Sequence, residues 1–102
     1  ARKAIQQWAI DEIDIGINTN KIWQSPRTEE KYAMEHRVQL GGSYPADLTI
    51  TMVRTNQEIV ITNKEGKPPT VKYEGEAVVT GTVNAVSVSG WAFMELQPLG
   101  HL

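Results

Sequence analysis

A chain of 102 residues, 40% apolar and with a formal charge of −2, has room for one modest core and lacks the composition of a disordered segment. Its charges are spread evenly, seven acids and six bases in residues 1–50 and five and four in the rest, which excludes a basic stripe for nucleic acid. The absence of cysteine excludes a disulfide framework, a thiolate zinc site and thiol catalysis, and it leaves the compartment open.

The chain begins without Met at Ala1-Arg2-Lys3, an opening expected of a piece of a larger protein, and shows no signal-peptide pattern. Strict alternation first appears in Glu12-Ile13-Asp14-Ile15-Gly16-Ile17-Asn18, which puts three isoleucines on one face of a half-buried strand. Asn18-Thr19-Asn20-Lys21 then supplies turn chemistry.

The segment from Thr28 to Leu40 admits two readings. Ser25-Pro26 suits a helix start and Gly41-Gly42 a helix end. The alternation of Tyr32, Met34, His36, Val38 and Leu40 suits a strand, and these residues make a poor helical stripe. Further extended runs follow at Asp47 to Arg54, Glu58 to Thr62, Val71 to Tyr73, Glu76 to Val83 and Val86 to Leu96. The stretch from Asn63 to Thr70, with Gly66-Lys67-Pro68-Pro69, reads as a long hairpin loop. Its longest strongly apolar run, Trp91-Ala92-Phe93-Met94, is far too short to span a membrane. Short strands at this spacing predict an all-β antiparallel barrel or sandwich.

Three segments, in order, resemble the C-terminal lipocalin-like barrel of the carotenoid 1,2-hydratase family, which includes AttH-like proteins and, more distantly, kievitone hydratases and fungal lipocalin-like Diels–Alderases. Trp23-Gln24-Ser25-Pro26-Arg27-Thr28 with Lys31-Tyr32 is similar to that family's Trp-x-Ser-Pro-x-Thr-Gly…Tyr-Pro hairpin. Tyr73-Glu74-Gly75-Glu76 is similar to its Tyr-Trp-Glu-Gly strand start, and Val88-Ser89-Gly90-Trp91-Ala92-Phe93-Met94-Glu95-Leu96 to its closing Val-x-Gly-x-Gly-Tyr-x-Glu-Leu strand. The likeness spans about residues 13–97. Glu29 stands where the family usually has Gly, Ala33 where it has Pro, and His36 where Trp is frequent.

The resemblance implies a lipocalin or calycin-like barrel of about seven or eight strands over residues 1–102, one half of a two-barrel protein, with residues 25–40 in a β-hairpin. It also implies a hydratase or pericyclase-type cyclase that acts on an apolar polyene or polyketide-like molecule. The alternative is a non-catalytic binding barrel or lid. Expected partners are the apolar ligand and either an N-terminal barrel or a second copy of this chain, with no nucleic acid, no membrane span and no cofactor.

Two side chains carry the catalytic expectation. His36 carries an imidazole, a group that ordinarily titrates near neutrality, and lies on the face of Tyr32 and Met34. Glu95 alternates with Trp91 and Phe93, and a carboxylate desolvated among aromatics can protonate an alkene. Trp91, Phe93, Tyr32, Met34, Trp23 and Tyr73 are the expected ligand contacts, although aromatic residues in a small β domain also serve as core. Glu74 reads as a loop anchor, Trp8 as core and His101 as tail. No cluster has metal-ligand spacing, and no nucleophile elbow supports a serine hydrolase.

Overall fold

The computed structural model describes residues 6–101, and its regular structure is almost wholly antiparallel β. A 3₁₀ turn at Ile10–Glu12 leads into β1 (Ile13–Ile17), followed by β2 (Ile22–Gln24), β3 (Lys31–Ala33), β4 (Glu35–Leu40) and β5 (Ala46–Met52). Next come β6 (Glu58–Ile61), β7 (Thr70–Val83) and β8 (Val86–Leu96), and a second 3₁₀ turn covers Leu99–His101. Residues 28–40 therefore hold strands and no helix. Alternating side chains prevail there because β3 and β4 each find an antiparallel neighbour, β2 and β5 respectively.

The main sheet runs β1-β4-β5-β7-β8, and β6 shares one edge of β7 with β5. Thr70 to Tyr73 of β7 pair with β6, and Ala77 to Val83 pair with β5. The gap between these ladders is bridged by Val53 N–H donating to the Glu76 carbonyl (2.9 Å) and Glu74 N–H to the Gln57 carbonyl (3.2 Å). Along its other edge β7 pairs continuously with β8, from Tyr73↔Leu96 to Val83↔Val86. Gly81 permits this crowding: with φ +150° it has Asp47's carbonyl oxygen only 2.0 Å from where a Cβ would sit.

Among the described residues the expected closed barrel does not form: β1 pairs only β4 and β8 pairs only β7, so both remain edges. Closure needs edge strands that can zip along a common length. Here β1 has five residues and β8 eleven. The radius of gyration is 16.3 Å, against roughly 13 Å for a compact domain of this length.

Register defines two faces. One, the core face, carries Ile13, Ile15, Ile17, Val38, Leu48, Ile50, Met52, Val79, Ala77, Tyr73, Met94 and Leu96. The hairpin of β2 and β3 covers only one end of it, where Tyr32, Met52, Tyr73, Ala77 and Leu96 bury one another and Trp23, Met34 and Ile50 pack around them. The opposite face is mainly Thr, Ser and charge, including the exposed Arg37–Asp47 pair, whose guanidinium donates at 2.9 and 2.6 Å.

Candidate functional site

The covered end of the sheet is where chemistry-bearing residues gather. Its hairpin loop, residues 25–30, is held by Ser25, whose N–H donates to the Glu30 carbonyl and whose carbonyl accepts from Glu29 N–H, both at 2.8 Å. Ser25 Oγ also accepts from the N–H groups of Arg27 (3.1 Å) and Thr28 (3.2 Å). A Ser followed by Pro favours such a tight loop, since the proline sets its φ and has no N–H to satisfy.

The loop is tied to the main sheet by one carboxylate. Glu58, at the start of β6, accepts from Ser25 Oγ (2.6 Å), Thr28 Oγ1 (2.6 Å) and Tyr32 OH (2.7 Å). Burial alone would raise the Glu58 carboxyl, but the three hydroxyls and the nearby Arg27 charge outweigh it and hold it below its ordinary value. Tyr32 is pushed the other way, far above a normal phenol, by burial and then by its bond to Glu58 and that residue's charge. The sequence reading picked out Ser25, Thr28 and Tyr32 but missed Glu58. Its only local signal was an acid opening the apolar run Ile59-Val60-Ile61.

Tyr32, Tyr73, Trp23 and Met34, the expected ligand contacts of this end, come together as packing. Ring centroids lie 5.9 Å apart for Trp23 and Tyr32, 5.7 Å for Tyr32 and Tyr73, and 6.4 Å for Trp23 and Tyr73. Both tyrosines are fully buried, and Tyr73 OH donates to the Arg54 carbonyl. These rings fill the end of the sheet and form its plug.

His36 and Glu95 line one cleft of about 250 Å³ together with Ile17, Ala33, Leu96 and Leu99. His36 faces inward from β4, its Nδ1 is buried without a hydrogen-bond partner among the described residues, and burial lowers its pKa below the ordinary 6.5. Glu95 reaches the rim from the opposite face of β8. Its side chain is 53% exposed and lies 3.7 Å from Lys72 Nζ, which is itself paired at 2.8 Å with Glu74. That is a solvated, cation-paired carboxylate, not one enclosed by aromatics. Trp91 and Phe93 share its face as the alternation required, but they are 76% and 71% exposed and lie away from the cleft.

Glu74 serves the Lys72 pair. Trp8 Nε1 donates to the Tyr44 carbonyl at 2.9 Å, with the two rings 6.4 Å apart, so it fastens the chain's start to the loop after β4. The side chain of His101 lies outside the described residues. Among the described residues no three His, Asp or Glu side chains group to hold a metal ion, and no helix is long and apolar enough to cross a membrane.

Beyond the plug the core face is uncovered. Ile13, Ile15 and Ile17 on β1 are 39%, 65% and 42% exposed, and they adjoin half-buried Val38 and Leu48. Comparison of the chain with known protein families, with curated proteins and with solved structures finds no match.

Proposed function

We propose that this domain binds an apolar polyene or polyketide-like molecule as the lipocalin-like half of a two-barrel hydratase or cyclase, with the reacting groups supplied by the partner surface. The observation that carries the reading is the bare apolar extension of the core face around Ile13, Ile15 and Ile17. Three isoleucines aligned on one strand and left accessible are costly for a lone domain and useful where an apolar molecule or a second barrel lies on them. The family resemblance gains support from the hairpin loop. Glu29 has φ +64°, a conformation that the family's usual Gly adopts without strain. Lys72 beside Glu95 speaks against this carboxyl as a proton donor to an alkene, because that role calls for a desolvated acid.

The test is titration with cis-parinaric acid, a fluorescent conjugated polyene. Binding at tens of micromolar, roughly −6 kcal/mol, is expected. Ile15→Asp should weaken it at least about tenfold, and Trp91→Ala, on the opposite face, should leave it unchanged. Equal binding by Ile15→Asp, or none by the unaltered chain, would sink the proposal. A second reading, catalysis by this chain itself, draws on the cleft that His36 and Glu95 share. Turnover by the isolated chain that is lost in Glu95→Gln would establish it.

A further inference from the structure

We infer that two copies of the chain join edge to edge through β8, antiparallel about Ala92, to make one sheet continuous across a two-fold axis. The inference stands on the free edge of β8 and is independent of the ligand-binding reading.

The turn between β7 and β8 sets which backbone groups are free. Asn84 and Ala85 both have positive φ, 47° and 66°, so they form a two-residue turn of type I′. Such a turn makes the flanking Val83 and Val86 a hydrogen-bonded pair. Pairing continues without a bulge to Tyr73↔Leu96. Counting along it, Val86, Val88, Gly90, Ala92, Met94 and Leu96 direct their backbone groups at β7. Ser87, Ser89, Trp91, Phe93 and Glu95 direct theirs at the open edge.

That edge has none of the usual protection. Its eleven residues include no proline and no basic side chain, and the single charge, Glu95, sits near one end. The exposed rings of Trp91 and Phe93 stand at its middle on the mainly polar face, beside the exposed Val78 of β7. By contrast β1 has five residues and presents Asp14, and β6, which likewise has one neighbour, has four residues.

The edge is complementary to itself in one register. A symmetric pair must match the outward-directed residues with one another, because only they have unpaired N–H and C=O groups. With the axis beside Ala92, Trp91 faces Phe93 of the second copy, and the symmetry repeats that contact. Ser89 then faces Glu95, so no two acids oppose each other. On the core face Gly90 meets Met94 and Val88 meets Leu96, a pairing of small with large. Moving the axis to Trp91 sets Trp91 against its copy but Phe93 against Ser89, and moving it to Phe93 sets Phe93 against its copy but Trp91 against Glu95, so only the register about Ala92 pairs all four rings. Aromatic cross-strand pairs are among the favourable ones. Register about Ala92 forms about eight backbone hydrogen bonds, two per facing pair. The four rings alone offer on the order of 600 Å², about half of what a small stable interface buries. The strand edges and flanking side chains bring the total to the low end of that range. An interface at this low end is expected to associate weakly, on the order of micromolar.

Sedimentation equilibrium from about 1 to about 200 µM should show a transition from 11.4 kDa to twice that mass. Ser89→Pro removes an outward N–H and leaves the ladder to β7 whole, so its circular dichroism should match the parent while association weakens at least about tenfold. The chain has no cysteine, so Ala92→Cys places a single thiol opposite its own copy. At a non-hydrogen-bonded pair the Cα atoms are about 4.5 Å apart, and mild oxidation should yield a disulfide-linked dimer. Ser89→Cys would stand about 20 Å from its copy and should remain a thiol. A strictly monomeric chain, a ladder of higher oligomers from β1 pairing with β8, or equal cross-linking of the two cysteine variants would each overturn the inference.

Discussion

Replacing Glu58 by Ala tests whether one carboxylate holds the β2–β3 hairpin on the sheet. The substitution strands the hydroxyls of Ser25 and Tyr32, whose residues are 2% and 0% exposed. Thr28 is only half-buried and can turn to solvent. A buried donor left without an acceptor costs about 1–3 kcal/mol. Two such donors span about 2–6 kcal/mol, and because Ser25 Oγ retains its two N–H donors, a total in the lower half, about 3 kcal/mol, is expected. Urea denaturation followed by Trp fluorescence suits the measurement, because Trp23 stacks on Tyr32 at 5.9 Å. With a slope of about 1.5 kcal/mol per molar, the midpoint should fall by roughly 2 M.

Tyr32→Phe removes one of the stranded donors. Glu58→Ala made in that background should therefore cost at least about 1 kcal/mol less than in the parent. The network also fixes pH behaviour. Glu58 is held below its ordinary 4.5, so its contribution is complete above that pH and is lost as pH falls through the lower native value. Tyr32 is held above its ordinary 10, so its contribution is complete below pH 10 and is lost as pH rises beyond it. Glu58→Gln should abolish the acid step. A loss under about 1 kcal/mol in Glu58→Ala, with costs that simply add to those of Tyr32→Phe, would refute the assignment.

Three further substitutions test the backbone and the cleft. Ala85→Gly relieves a left-handed residue in the β7–β8 turn, φ 66°. The strain relieved is about 1–2 kcal/mol, less the unfolded-state entropy of glycine, so calorimetry should show a melting point raised by about 2–4 °C. Gly81→Ala drives a Cβ to within 2.0 Å of the Asp47 carbonyl and should cost about 3 kcal/mol in urea, chiefly by parting β5 from β7. Burial lowers the pKa of His36, so the unfolded chain takes up its proton first and stability falls as pH drops below 6.5. His36→Gln should flatten unfolding midpoints measured between pH 7 and 5.5, and an unchanged slope would remove His36 as the cause.

Much of the strand pattern was legible because it is local. Ile13, Ile15 and Ile17 alternate with polar residues, and β1 follows that run almost to the residue. The boundaries of β8 match the predicted extended run at Val86 to Leu96. Residues 71–83 read as two strands parted at Glu74-Gly75. They form one, β7, because β8 pairs with them continuously and Gly75 leaves room for the Tyr73 ring lying back across it.

What the chain could not disclose by itself is which face is inside and what lies across from it. An alternating strand specifies two faces, and β8 has apolar residues on both: Trp91 and Phe93 on one, Val88, Ala92, Met94 and Leu96 on the other. Only registration against Ala77 and Tyr73 of β7 turned the smaller set inward and left the aromatic rings in solvent. Glu58 escaped notice for a related reason, since its three hydrogen-bond donors lie 26 to 33 residues away. Periodicity reports how a residue stands relative to its chain neighbours. The partners that make a hydroxyl cluster, an open edge or a bare row of isoleucines are set by tertiary pairing, and no local pattern encodes them.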